Sequence, residues 1–146
     1  MSYLCTRVHL IWSTLHREAS IETEWQPRLH GYMRGILENH HSKVFAIGGV
    51  ADHVHIYCSL PATMSIAQLA STVKSNSTSW VRQNFSKSFG WQEGYAAFTM
   101  GKSADDDVIH YILTQEEHHQ RKTFQEELIA FLEKFEVPYE PKYVFL

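Results

Sequence analysis

The spacing of apolar positions changes several times along the chain, and each change predicts an element. Residues 3–15, YLCTRVHLIWSTL, mix β-branched, aromatic and alternating positions, the pattern of a strand. Over 22–40 the apolar residues fall at 25, 29, 32, 33, 36 and 37, a helical spacing, and Pro27 suits the first turn. KVFAIGGV (43–50) and HVHIYCSL (53–60) read as two strands joined by a short polar link, hence a hairpin. Pro61 stops the second strand. Ser65 then offers an N-cap, Gln68 completes a capping box, and apolar residues at 66, 69, 73, 80 and 81 carry a helix to about Phe85. The middle of that helix, STVKSNSTSW, lowers helix propensity; its polar face either touches something or is simply solvated. WQEGYAAFTM (91–100) reads as a fourth strand. Ser103 is placed to cap a long helix, DDVIHYILTQEEHHQRK, with Asp105, Asp106 and Asp107 at the positive end of its dipole. Another helix spans about 124–135 and precedes the tail VPYEPKYVFL.

The order β-α-β-β-α-β followed by helices predicts an α+β, ferredoxin-like (RRM-like) antiparallel sheet with helices on one face and additional C-terminal helices. No repeat or linker interrupts it, so residues 1–146 are expected to form a single domain. Such a fold names no function by itself.

Composition narrows the setting. The 44% hydrophobic content suffices for a core, and no apolar run reaches the length of a membrane span. The N-terminus lacks the pattern of a secretion signal, which points to the cytoplasm. Cys5 and Cys58, each in an apolar strand-like run, read as buried free thiols. Net charge is −3, but residues 1–102 hold 9 Lys and Arg against 6 acids, whereas 103–146 hold 4 against 10. That asymmetry permits a basic patch on the body of the molecule without demonstrating one.

Ten histidines are many for 146 residues, and their placement is informative. His53 and His55 leave the same face of a strand, roughly 6.5–7 Å apart along it, so they can converge on one metal ion. Val54, Ile56 and Cys58 then face the helices. Two structural histidines at a sheet surface are the plain alternative. In the helix after the fourth strand, Tyr111 and Gln115 are one turn apart on one face, with His118 and His119 a turn further along. The Gln115 amide oxygen, with two imidazoles, would leave open positions on a divalent ion such as Mg²⁺ or Mn²⁺. Alone, Tyr111 is more simply an amphipathic packing residue.

Together, DHVHIYCSLP and YILTQEEHH, with HLIWST, VKSNSTSW and FGWQEGYAAFTM in this order, resemble the single-tyrosine HUH transposases of insertion sequences, including relatives associated with repeated palindromic elements. The resemblance implies that His53 and His55 are metal ligands, Gln115 the third, and Tyr111 the nucleophile. It implies divalent-metal-dependent cutting and rejoining of single-stranded DNA at hairpin-bearing ends through a 5′-phosphotyrosine, in the cytoplasm of a bacterium or archaeon. A homodimer is also expected, with the tyrosine helix acting in cis or in trans. His110, His118 and His119 are unranked candidates for handling the phenol's proton. Lys74, Arg82, Lys87 and Lys102 are candidates for phosphate contacts, and Trp80, Trp91 and Tyr95 for base stacking. The rival readings are a non-catalytic hairpin binder of the same fold, a phosphohydrolase using water on the same ligands, and an interaction domain with core histidines.

Overall fold

The computed structural model describes residues 2–142 and Val144; Met1, Tyr143, Phe145 and Leu146, three of them in the expected tail, lie outside the described residues. Among these residues, β1 (Val8–Ser13), β2 (Val44–Val50), β3 (His53–Cys58) and β4 (Ala96–Thr99) form one antiparallel sheet of order β2-β3-β1-β4. Helix α1 (Gln26–Asn39) connects β1 to β2, and α2 (Ile66–Asn84) connects β3 to β4. This is the ferredoxin-like order expected from the sequence. The capping box of α2 forms as read: the Gln68 backbone N–H donates to Ser65 Oγ at 3.1 Å, and the Ser65 N–H donates to Gln68 Oε1 at 2.8 Å.

Strand parity divides the sheet into two faces. Val8, Leu10 and Trp12 of β1 and Val54, Ile56 and Cys58 of β3 pack under α1 and α2. The opposite face carries His9, Ile11, Ser13, His53, His55 and Tyr57. The additional C-terminal helices, α3 (Asp105–Leu113), α4 (Gln115–His119) and α5 (Phe124–Lys134), cover this second face. The reason lies in the strands: Ile11, Ala46, Tyr57 and Phe98 are apolar residues on that side, so it too must be covered.

The expected long third helix is broken. Thr114 leaves helical geometry (φ −111°, ψ 30°) and its hydroxyl donates to the His110 carbonyl at 2.8 Å, a back-bond that bends helices. Ser103 caps nothing. It sits in a 3-10 turn, Lys102–Ala104, and Ala104 occupies the N-cap of α3. The start of α3 is fixed instead by Asp105, which accepts a bidentate pair from Arg7 (3.0 and 3.1 Å) and a hydrogen bond from Tyr57 Oη at 2.6 Å. These charge-assisted bonds tie α3 to β3 and to the residue that precedes β1. Cys58 is buried, its thiol pushed up to about 11 by burial, but Cys5 is exposed because β1 begins only at Val8.

Gly48 lets α3 reach the sheet. It lies opposite His55 in the β2–β3 register. A methyl group built on it would overlap the Ile112 carbonyl oxygen and come within 2.9 Å of Ile112 Cγ2. Since that contact is helix backbone, it cannot rotate away. Gly48→Ala should therefore cost about 2–3 kcal/mol in urea unfolding, as overpacked cores do. A loss under about 0.5 kcal/mol, the size of an ordinary surface change, would show that α3 does not rest on β2 in this way.

A second prediction concerns acid stability. His30 of α1 has its Nε2 buried without a partner, and burial holds its pKa down to about 4. The folded state keeps this imidazole neutral while the unfolded chain protonates it near pH 6.5. Its contribution is fully present above that pH and declines towards pH 4, by up to about 3 kcal/mol. Urea midpoints at pH 7.5 and 4.5 should differ less in His30→Leu than in the wild type; an unchanged difference would remove His30 from the account.

Candidate active site

The centre forms where β1 and β3 meet α3, α4 and α5. His53 and His55 are completely buried, on the face and spacing read from the sequence. Asp52 Oδ1 accepts from His53 Nδ1 at 2.7 Å, which aims Nε2 inward. His55 Nε2 lies 2.9 Å from Glu127 Oε1, and His55 Nδ1 lies 2.8 Å from Nε2 of buried His9. A carboxylate only accepts, so His55 donates from Nε2 and receives from His9; an ion held at Nε2 would displace that proton. Each imidazole of the strand motif thus has a second partner fixing its tautomer and ring plane.

The helices bring the remaining groups. Gln115 Oε1 lies 3.2 Å from His53 Nε2 and 2.9 Å from His119 Nε2, while its amide N–H donates to the Tyr111 carbonyl at 3.1 Å. His119 Nε2 also lies 3.2 Å from Glu127 Oε2. The Tyr111 hydroxyl donates to that same carboxylate oxygen. His118 stacks on the Tyr111 ring, centroids 4.5 Å apart, and its Nε2 bonds Thr114 at 3.0 Å. His110 is exposed and stays out of the cluster.

Glu127 and His9 are the members that the sequence reading missed. Glu127 lies on the stripe of α5 made by Phe124, Leu128 and Phe131, so an acid on an apolar helical face was its signal. Strand parity places His9 beside His55 once the β1–β3 register is known.

Electrostatics follow from this enclosure. Burial alone would push Glu127 up, but hydrogen bonds from His119 and His55 hold it far below the usual carboxylate range. Burial, then the Glu127 charge, pushes the Tyr111 phenol well above its ordinary value. Burial lowers His55 and His9. His119 is also pushed down by burial, yet its bond to Glu127 and the carboxylate's charge outweigh that, and it ends raised. Ligand atoms of His53, His55, His119 and Glu127 lie within 4.8 Å of one another. Three imidazoles and a carboxylate, with the Gln115 oxygen beside them, fit a divalent ion. Such nitrogen-rich sets suit Mn²⁺ and its transition-metal neighbours better than Mg²⁺.

Residues 2–115 match the family model of IS200-like transposases, which covers most of the chain. The chain belongs to this family. It is therefore grouped with transposases, enzymes of DNA recombination, and α5 with Glu127 lies beyond the matched segment. Two solved structures share the fold. One, a protein of Deinococcus radiodurans R1 described as a transposase, is 20% identical, covers 77% of this chain and 92% of its own, and superposes with a TM-score of 0.64. The other, a REP-associated tyrosine transposase bound to a REP hairpin, is 13% identical, covers 77% and 67%, and has a TM-score of 0.58. No curated protein matches the chain. Among the described residues of this transposase, no helix is long and apolar enough to cross a membrane.

Of the candidate contact residues, Lys74, Arg82, Trp91 and Tyr95 line one groove beside α2, whereas Lys87, Lys102 and Trp80 do not. Lys74 Nζ donates to the carbonyls of Gln92, Glu93 and Gly94 (3.0, 3.1 and 2.5 Å), and burial lowers its pKa to about 8. Arg82 Nε donates to the Phe89 carbonyl at 2.7 Å. Lys74 thus pins the segment that replaces the start of the expected fourth strand, of which only Ala96–Thr99 pairs as β4, and Arg82 holds Phe89 just before it. Lys87 and Lys102 are exposed. Trp91 is core, its Nε1 donating to Ser77 Oγ at 2.9 Å; Trp80 stacks on Tyr32; Tyr95 is exposed. The polar middle of α2 is thus partly spent on these internal bonds.

Proposed function

We propose that this transposase cuts and rejoins single-stranded DNA at hairpin-bearing ends, with Tyr111 as nucleophile. The observation that carries this reading is the Tyr111 hydroxyl held by Glu127 against the His53, His55 and His119 cluster. His53, His55 and Gln115, joined by His119 and Glu127, would hold a divalent ion, Mn²⁺ in preference to Mg²⁺. When bound, that ion polarises a phosphate oxygen and lowers the pKa of the nearby phenol.

The chain's own residues do the rest. Glu127 Oε2 accepts the phenolic hydrogen and orients the oxygen, and His118 stacked on the ring restricts its swing. The phenolic oxygen attacks phosphorus, and its proton leaves through the hydrogen bond to Glu127, too weak a base to keep it, which relays it to the departing oxygen. The bond to the 3′-oxygen breaks, and that oxygen takes up a proton to leave as a 3′-hydroxyl. Tyr111 retains the 5′-phosphate, and a second 3′-hydroxyl reverses the step to join a different strand.

Tyr111, Gln115 and Glu127 meet the histidines of their own chain, which supports assembly in cis. A homodimer, a single domain over 1–146 and a cytoplasmic setting in a bacterium or archaeon complete the proposal. The hairpin bound by the REP-associated transposase supports a hairpin-bearing substrate here. The test is to incubate the protein with Mn²⁺ and labelled single-stranded DNA from the flanks of its own gene. A denaturation-resistant adduct supports the reading; strand cleavage without any adduct would instead make water the nucleophile.

A further inference from the structure

Helices α3 and α5 enclose a groove of about 770 Å³ that opens beside Tyr111. Its size suits a small molecule or one unit of a polymer. The Tyr111–His118 stack lines it, and Phe131 meets Tyr111 edge-on at 5.6 Å. Arg121, Lys122 and Lys134 stand exposed at its rim. This concentration is unexpected in the acidic third of the chain: residues 103–146 hold only four cations against ten acids, and three of the four lie here. Among the described residues, none of the three is ion-paired with an acidic side chain. None of the expected phosphate contacts, Lys74, Arg82, Lys87 or Lys102, lines this groove.

We infer that this groove receives the base of the nucleotide beside the phosphate that Tyr111 attacks, with the rim cations holding its backbone. The inference rests on the proposed function and adds a subsite to it. Flat aromatic walls with cations at the mouth complement an anion that carries a flat ring. Stacking a base on such walls is tolerant of sequence, and each base adds substantially to binding. Cations over or beside rings add to it.

The test uses the whole ¹⁵N-labelled protein in EDTA, titrated with the four deoxynucleoside 5′-monophosphates and with deoxyribose 5-phosphate. At least one nucleotide should shift amides near Tyr111, His118 and Phe131 and bind about tenfold or more tightly than the sugar phosphate. Ala130→Trp, which fills the groove from the exposed side of α5, should remove that difference, and its spectrum reports whether it folds. Lys134→Glu should weaken nucleotide and sugar phosphate alike. Equal binding of the two ligands, shifts confined to another surface, or no shift at millimolar ligand would overturn the subsite. An adduct that still forms in the assay above would then leave the proposed function standing. Nucleotide binding without any adduct would sink the function and not the groove.

Discussion

Replacing Tyr111 with Phe should reduce adduct formation and strand joining by at least about a thousandfold, since the proposed function makes its phenolic oxygen the attacking group. The substitution keeps the ring that stacks on His118 and packs against Phe131. It deletes the hydroxyl that donates to Glu127, but that carboxylate keeps its bonds to His55 and His119. Stability should therefore change by only about 1 kcal/mol, and a large drop in activity could not be blamed on unfolding. The pair of readouts is decisive. An adduct formed by a well-folded Tyr111→Phe protein would remove Tyr111 from the role of nucleophile.

The second large effect belongs to Glu127→Gln. The substitution preserves shape and one hydrogen-bond acceptor while removing the carboxylate that faces His53, His55 and His119 together. Affinity for Mn²⁺, measured by calorimetry, should fall about 10–100-fold. The thermal stabilisation conferred by saturating Mn²⁺ should shrink accordingly, because a ligand at 100 times its Kd stabilises by about 2.7 kcal/mol. Glu126→Gln is the control: Glu126 belongs to the capping box of α5 with Thr123, a place where Gln serves as well. Equal Mn²⁺ affinity in the Glu127 variant and the wild type would show that the carboxylate serves only to hold Tyr111.

Much of this was readable before the structure. His53 and His55 share a face because strands have a period of two, and the register with β1 confirms it. Tyr111 and Gln115 share a face because helices bring i and i+4 together, and this survives the break at Thr114. The ferredoxin-like order followed from the sequence of periods. What escaped had non-local causes. Glu127 lies 72 residues from His55, and no local pattern says where α5 will dock. His9 gains meaning only across the β1–β3 pairing. Lys74 reads as a surface cation, but the 92–94 segment folds over it and takes its donors. Ser103 offered a good cap, yet the Arg7 and Tyr57 bonds to Asp105 decide where α3 begins.

The line from His9 through His55 and Glu127 to Tyr111 joins the first strand to the last helix. Closing loops of this length is slow compared with forming local helices and hairpins. During synthesis the strands and the histidine pair emerge first, and the carboxylate that completes the cluster follows 72 residues after His55. A polypeptide halted after Gln115 would carry the residues of the family match but not the assembled centre. The bonds that Glu127 makes to His55 and Tyr111 therefore wait until α5 docks.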